Sequence, residues 1–161
     1  MSGSTPQDRT GLTLVPRTEV RTLNLSVDEA RQRFAGAVVA RLATVGERGQ
    51  PHLVPVTFAA DGDRIYTAVD AKPKTTTNLR RLRNIAADPR VAVLADHYEQ
   101  DWAGLWWVRA DGTASLLDGP ADMAGPLRLL AARYPQYRAS PPAGPVVSIR
   151  VARWSGWAAS A

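Results

Sequence analysis

Lys72 and Lys74 are the only lysines among the chain's 20 basic residues, and they stand two positions apart in the segment DAKPKTTTNLRRLRNIAADPR, Asp70 to Arg90. From Lys72 onward this segment carries Arg80, Arg81, Arg83 and Arg90 as well, against Asp88 alone. The net charge of +5 over Lys72 to Arg90 equals the formal charge of the whole chain, so the other residues sum to neutrality. A lysine is a compact point charge that suits a phosphate on a flexible loop, whereas arginine offers a planar fork. The placement predicts an anion site. Just behind the lysines, Thr75 to Thr77 can cap a helix in which Leu79, Leu82 and Ile85 recur at helical spacing, ending before Asp88-Pro89. The first turn of that helix would add unpaired N–H groups and a positive dipole end to the two ammonium groups. Spacing alone also leaves open a solvated basic helix with no ligand.

Other chemistries find little support. With two histidines and no cysteine, and without HExxH or closely spaced carboxylates, a catalytic metal is not expected. Ser115 and Ser155-Gly156 lie in no nucleophile-elbow context, and neither a GxGxxG nor a Walker loop occurs. Nothing is lost by the missing cysteine if the chemistry belongs to a bound organic cofactor. His97, in a polar stretch with Glu99 and Asp101, reads as an exposed histidine or as a titratable group for proton transfer. Trp106 and Trp107 are adjacent, so on a strand they face opposite ways. One belongs in the core; the other, with Trp102 and Tyr98 nearby, can flank a planar ring or pack on a second subunit. Trp154 and Trp157 read as packing residues.

The elements that would position these groups follow from the pattern. At 161 residues one core is expected, burying roughly two-thirds of the unfolded surface. No apolar run approaches the roughly 20 residues that cross a bilayer, and the N-terminus lacks an apolar signal core, which predicts a soluble, cytoplasmic protein without membrane contact. Residues 1–23 are polar with scattered Gly and Pro and read as a mobile arm ahead of a domain over 24–161. Ser26-Val27-Asp28-Glu29 has capping-box spacing for a short helix to Gly36. Ala37–Val45 and Gln50–Ala59 read as a hairpin around Gly46–Gly49, and Arg64–Val69 as a third strand after the Asp61–Asp63 turn. In the second strand His52, Val54, Val56 and Phe58 share one face, and Pro55 marks an edge or a bulge. Val91–Ala95 reads as a strand covered on both faces, Leu105–Leu117 as a long strand or bent hairpin, and Gly119–Tyr134 as a helix interrupted at Pro126. A loop over Arg138–Pro145 leads to a last strand, Val146–Trp157. About six strands with short helices and hairpin connections give a mainly β, α+β fold, an antiparallel barrel with helical decoration.

The order PHLVPVTF, DG turn, strand, KPK, NLRRLRNI and DPRVAVL resembles the split β-barrel flavin-binding superfamily of pyridoxamine phosphate oxidase. Downstream, DHYEQDWAGLWWVRADG is similar to its deazaflavin-dependent branch, which uses coenzyme F420. The resemblance runs from about Ser26 to Trp157. It implies a homodimer of six-stranded split barrels with cofactor clefts at the subunit interface. Lys72 and Lys74, helped by Thr75, would hold the cofactor phosphate. Pro55, Val56, Thr57 and Thr67 or Ala68 would lie near the ring edge, and Trp106 or Trp107 near its face. The C-terminus RVARWSGWAASA lacks the substrate arginine-histidine pair of true pyridoxamine phosphate oxidase, which speaks against a vitamin B6 role.

The leading expectation is therefore an F420-dependent oxidoreductase moving a hydride to or from a small organic substrate. FMN is the alternative cofactor, and a non-catalytic F420 or flavin carrier the alternative role. Nucleic-acid binding predicts basic residues dispersed over a surface, unlike the single charged segment found here.

Overall fold

The structure, a computed structural model, describes residues 23–70 and 79–159. In chain order it sets β1 (Leu23–Asn24), α1 (Val27–Gly36), β2 (Ala40–Val45), β3 (Pro51–Val56), β4 (Ala59–Asp61) and β5 (Arg64–Ala68) ahead of the basic segment. Beyond it come α2 (Arg80–Ala87), β6 (Arg90–His97), β7 (Trp106–Leu117), α3 (Pro120–Arg133), α4 (Pro135–Ala139) and β8 (Val146–Ala158). Every pairing is antiparallel, in the order β3-β2-β6-β7-β8-β5-β4, with β1 added against β8. Strands β3 and β4 follow one another in the chain yet occupy opposite ends of this path. The sheet is thus a curled, open antiparallel split barrel, and Thr57–Phe58 crosses its opening. The expected count of about six strands falls two short: Leu23–Asn24 adds a short strand against β8, and Gln50–Ala59 is not one strand, since pairing with β2 stops at Val56 and pairing with β5 begins at Ala59.

Alternation along the strands sets the core. Leu42 and Thr44 of β2, Val91, Val93 and Ala95 of β6, and Val108 and Ala110 of β7 are buried on one face with Ile149 and Val151 of β8. Helix α1 seals this core with Ala30 and Phe34, and α2 with Leu82 and Ile85. The opposite face of the sheet is different. Ala92 and Leu94 are only half-buried, and Leu53 is 64% exposed, so β6 is covered on one face rather than both within this chain. Residues 1–22, most of the expected arm, lie outside the described residues; Leu23 pairs with Ala158.

The capping box forms as its spacing predicts: the Glu29 N–H donates to Ser26 Oγ at 3.3 Å, and the Ser26 N–H donates to Glu29 Oε2 at 2.8 Å. The hydrogen bond from the Ser26 hydroxyl holds the Glu29 carboxyl below its ordinary pKa. Ser26→Ala should lower stability by about 1 kcal/mol. Thermal melting would read this as a drop of roughly 2–4 °C, and an unchanged midpoint would mean that the box is decorative.

Strand β7 is a single strand, not a hairpin, and the bulge in its pairing falls on β8, where Ala152 is left without a partner. Its register against β8 shifts between Asp111 and Gly112, where an added Cβ would lie 2.2 Å from the Arg150 carbonyl oxygen. Only glycine fits that approach. Helix α3 runs unbroken through Pro126. Part of the expected Arg138–Pro145 loop is helical, because Pro135 at the first helical position starts α4 and carries it to Ala139. Among the described residues no helix is long and apolar enough to cross a membrane.

Candidate functional site

The site grows out of the crossing at Thr57–Phe58. Leaving one sheet edge for the other strips these residues of ladder partners, and a buried N–H must find another acceptor. Tyr134, at the α3–α4 corner, supplies it: its hydroxyl accepts from the Phe58 N–H at 3.1 Å and donates to the Val38 carbonyl at 2.8 Å. Arg133, one residue earlier, donates to the Ala35 carbonyl at 2.5 Å and to that of Ala37, closing the carbonyl end of α1. Its guanidinium also lies 4.6 Å from the Phe58 ring centroid. The α3–α4 corner therefore fixes the open seam of the sheet.

Against that seam lies a cleft of about 240 Å³ lined by Val39, Pro55, Val56, Thr57, Thr67, Ala68, Asp70 and Arg81. Five of the residues that the sequence singles out thus come together: Pro55 opposite Arg41 on edge strand β3, Val56 and Thr57 at its end, and Thr67 and Ala68 at the end of β5. Lys72, Lys74 and Thr75 lie outside the described residues, as does the rest of 71–78. Helix α2 is capped later than expected. Leu79 holds the N-cap position without any side-chain hydrogen bond, and the expected caps Thr75 to Thr77 lie outside the described residues. Trp106 packs against the core, and Trp107 faces the outer side of the sheet near Arg41, Leu53 and Tyr98. Neither lines the cleft.

Three polar groups of the site were not singled out from the sequence. Arg81, in the first turn of α2, is half-buried and, among the described residues, makes no hydrogen bond or ion pair; burial lowers its pKa, and the Asp70 charge offsets this in part. Tyr137, from α4, donates its hydroxyl to Asp70 Oδ1 at 2.5 Å and lies 2.7 Å from Thr57 Oγ1. A phenol has one proton, and the carboxylate takes it, so Thr57 donates to Tyr137. Burial first, and then the bond to Asp70, push the Tyr137 pKa up to about 12, so the phenol keeps its proton at ordinary pH. Asp70 opens the basic segment, and Arg81 was legible only as one of its charges. Tyr137 had no local signal, being 67 residues from Asp70.

The chain is 41% identical over 56 residues to 5a,11a-dehydrotetracycline/5a,11a-dehydrooxytetracycline reductase of Streptomyces rimosus, a stretch spanning 35% of this chain and 38% of that protein. Its structure is similar to a FAD-binding protein from Mesorhizobium loti, with TM-score 0.65 and 24% identity, over 84% of this chain and 96% of that one. A FAD-binding protein from Mycobacterium smegmatis matches with TM-score 0.59 and 18% identity, over 84% and 97% of the two chains. At such identities these structures speak for the fold. The family match is what covers both the seam and the cleft: it runs over residues 26–158, and the chain belongs to the pyridoxamine 5'-phosphate oxidase family.

Proposed function

We propose that the chain is an oxidoreductase that binds a flavin-type cofactor in the cleft between Pro55 and Arg81 and works on a small organic substrate. Arg81 carries the reading. A guanidinium that has lost part of its hydration without gaining an ion pair among the described residues is matched to an anion that arrives with a ligand. Lys72, Lys74 and Thr75, which precede it in the chain, are assigned to the same cofactor phosphate. Family membership, the reductase relative and the FAD-binding neighbours all support a redox role.

When bound, a flavin or deazaflavin ring supplies a two-electron hydride donor or acceptor. The chain's own residues do the rest. Val56, Thr67 and Ala68 are buried and keep water from the inner wall, Pro55 leaves a backbone position without a donor, and Thr57 holds a hydroxyl in one orientation. Coenzyme F420 is our preferred cofactor, with FMN second, because an acidic oligoglutamyl tail gains more than a lone phosphate from Arg80, Arg81 and Arg83. At about 240 Å³ the cleft is smaller than the roughly 300–1,000 Å³ of ordinary ligand pockets, which favours completion by a second subunit. The half-exposed outer face with Leu53, Ala92, Leu94 and Trp107 suits a homodimer, and there Trp107 would approach the partner rather than its own cleft. The reading fits a cytoplasmic enzyme.

Parallel titration of the purified protein with F420, FMN and haem, followed by absorbance and fluorescence, tests the proposal. Saturable binding of F420 is expected. Binding of FMN alone would reverse the cofactor choice, and binding of neither would remove the redox reading.

A further inference from the structure

A second cavity of about 540 Å³ adjoins the cofactor cleft and shares Val39, Thr57 and Asp70 with it. Its remaining walls include Val38, Tyr134 and Tyr137, and the two tyrosine rings meet edge-on with centroids 5.6 Å apart. Val38 is 76% exposed and Val39 39%, apolar side chains left without a cover at the mouth of a ring-lined space. One stretch of the polar wall is one-sided, apart from Gln136 and Ser140, which also line the cavity. Because Thr57 gives its proton to Tyr137 and Tyr137 gives its own to Asp70, the chain of three offers lone pairs and no proton to anything in the cavity. Among the described residues Asp70 is also the single charged residue that lines it.

Resting on the oxidoreductase reading, we propose that this cavity is the substrate pocket and that it selects neutral or cationic ring compounds bearing a hydrogen-bond donor, while rejecting anionic ones. Charge is then sorted across the shared wall. The cofactor's anion belongs beside Arg81, and the substrate beside Asp70, where a negative group would meet a carboxylate in a partly desolvated space. The volume suits a molecule of two or three fused rings. Tyr137 is a positioning residue here: it fixes which way the Thr57 hydroxyl points.

Three hydride-accepting quinones of one ring size make the test: 2-amino-1,4-naphthoquinone, 1,4-naphthoquinone and 1,4-naphthoquinone-2-sulfonate. Binding to the cofactor-free protein is read by quenching of intrinsic fluorescence, and cofactor affinity is measured separately. The amino compound should bind saturably and the sulfonate at least about tenfold more weakly. Val38→Trp places a large ring at the exposed mouth; it should weaken the amino compound at least about tenfold while leaving cofactor affinity and melting temperature unchanged. Asp70→Asn should bring the sulfonate close to the neutral quinone. Equal binding of all three probes by the unmodified protein, or indifference of the amino compound to Val38→Trp, would overturn the proposal. So would a loss of cofactor affinity in Val38→Trp as large as the loss of probe affinity, since the cavity would then belong to the cofactor. Probe binding that is sensitive to Val38 in a protein that takes neither F420 nor FMN would leave the pocket standing and remove the redox reading.

Discussion

Arg81→Ala is expected to weaken cofactor binding by roughly 10–100-fold, the equivalent of about 1.5–3 kcal/mol for hydrogen bonds to a charged group. The same change should leave the cofactor-free protein at least as stable as before. A half-buried guanidinium with no ion-pair partner among the described residues is held in the fold at a loss of hydration, and burial already depresses its pKa. Removing it relieves that loss and takes away, among the described residues, no hydrogen bond or ion pair but only the longer-range attraction of Asp70, so stability and binding should move in opposite directions. Arg81→Lys would keep the charge but lose the planar fork, giving an intermediate affinity. Cofactor titration and a thermal melt of the apo form, run on the same preparation, read both effects. Unchanged affinity would show that the cleft beside Thr57 is not where the anion sits.

Phe58→Ala should destabilise the fold by about 3–5 kcal/mol, the range for emptying a large aromatic from a packed core. Its ring is fully buried, tilted against Phe34 with centroids 4.8 Å apart, and roofed by Arg133. Against a total stability of roughly 5–15 kcal/mol this is a large fraction, and denaturant unfolding would show it as a lower midpoint with an unchanged slope. The neighbouring Thr57 makes the effect more than structural. Its hydroxyl is fixed through Tyr137, and Tyr137 is carried by the short helix after Tyr134, which pins the Phe58 N–H. Loss of the ring should therefore loosen the cofactor as well. A change below about 1 kcal/mol would mean that the seam closes over the void without strain.

What the sequence disclosed is what local pattern can carry. The helix after Ser26 and the inward face of His52, Val54 and Val56 were legible because each signal lies within a few residues of itself. Pro55 announced an edge, and an edge is where it lies. The resemblance in PHLVPVTF and the strand before the lysines brought Pro55, Val56, Thr57, Thr67 and Ala68 to one cleft. Hidden from view were contacts closed by the fold alone. Tyr134 and Tyr137 reach residues 58 and 57 across 76 and 80 positions, and nothing near either tyrosine declares it. The division of Gln50–Ala59 into two strands was missed for a related reason: Thr57 and Phe58 keep the β-prone composition and the alternation, and only the curl of the sheet takes their partners away. Val91–Ala95 misled by being apolar throughout, because Ala92 and Leu94 face a side that this chain does not cover.

An open sheet has two free margins, and each is a template on which a stray strand could polymerise. Here β3 carries Pro51 and Pro55, each lacking a donor, while β4 has three residues, too few for a lasting ladder. Both rims are thus blunted against fibrillar growth. A copy of this chain can press against the flat of the sheet, but it has no rim on which to lengthen it.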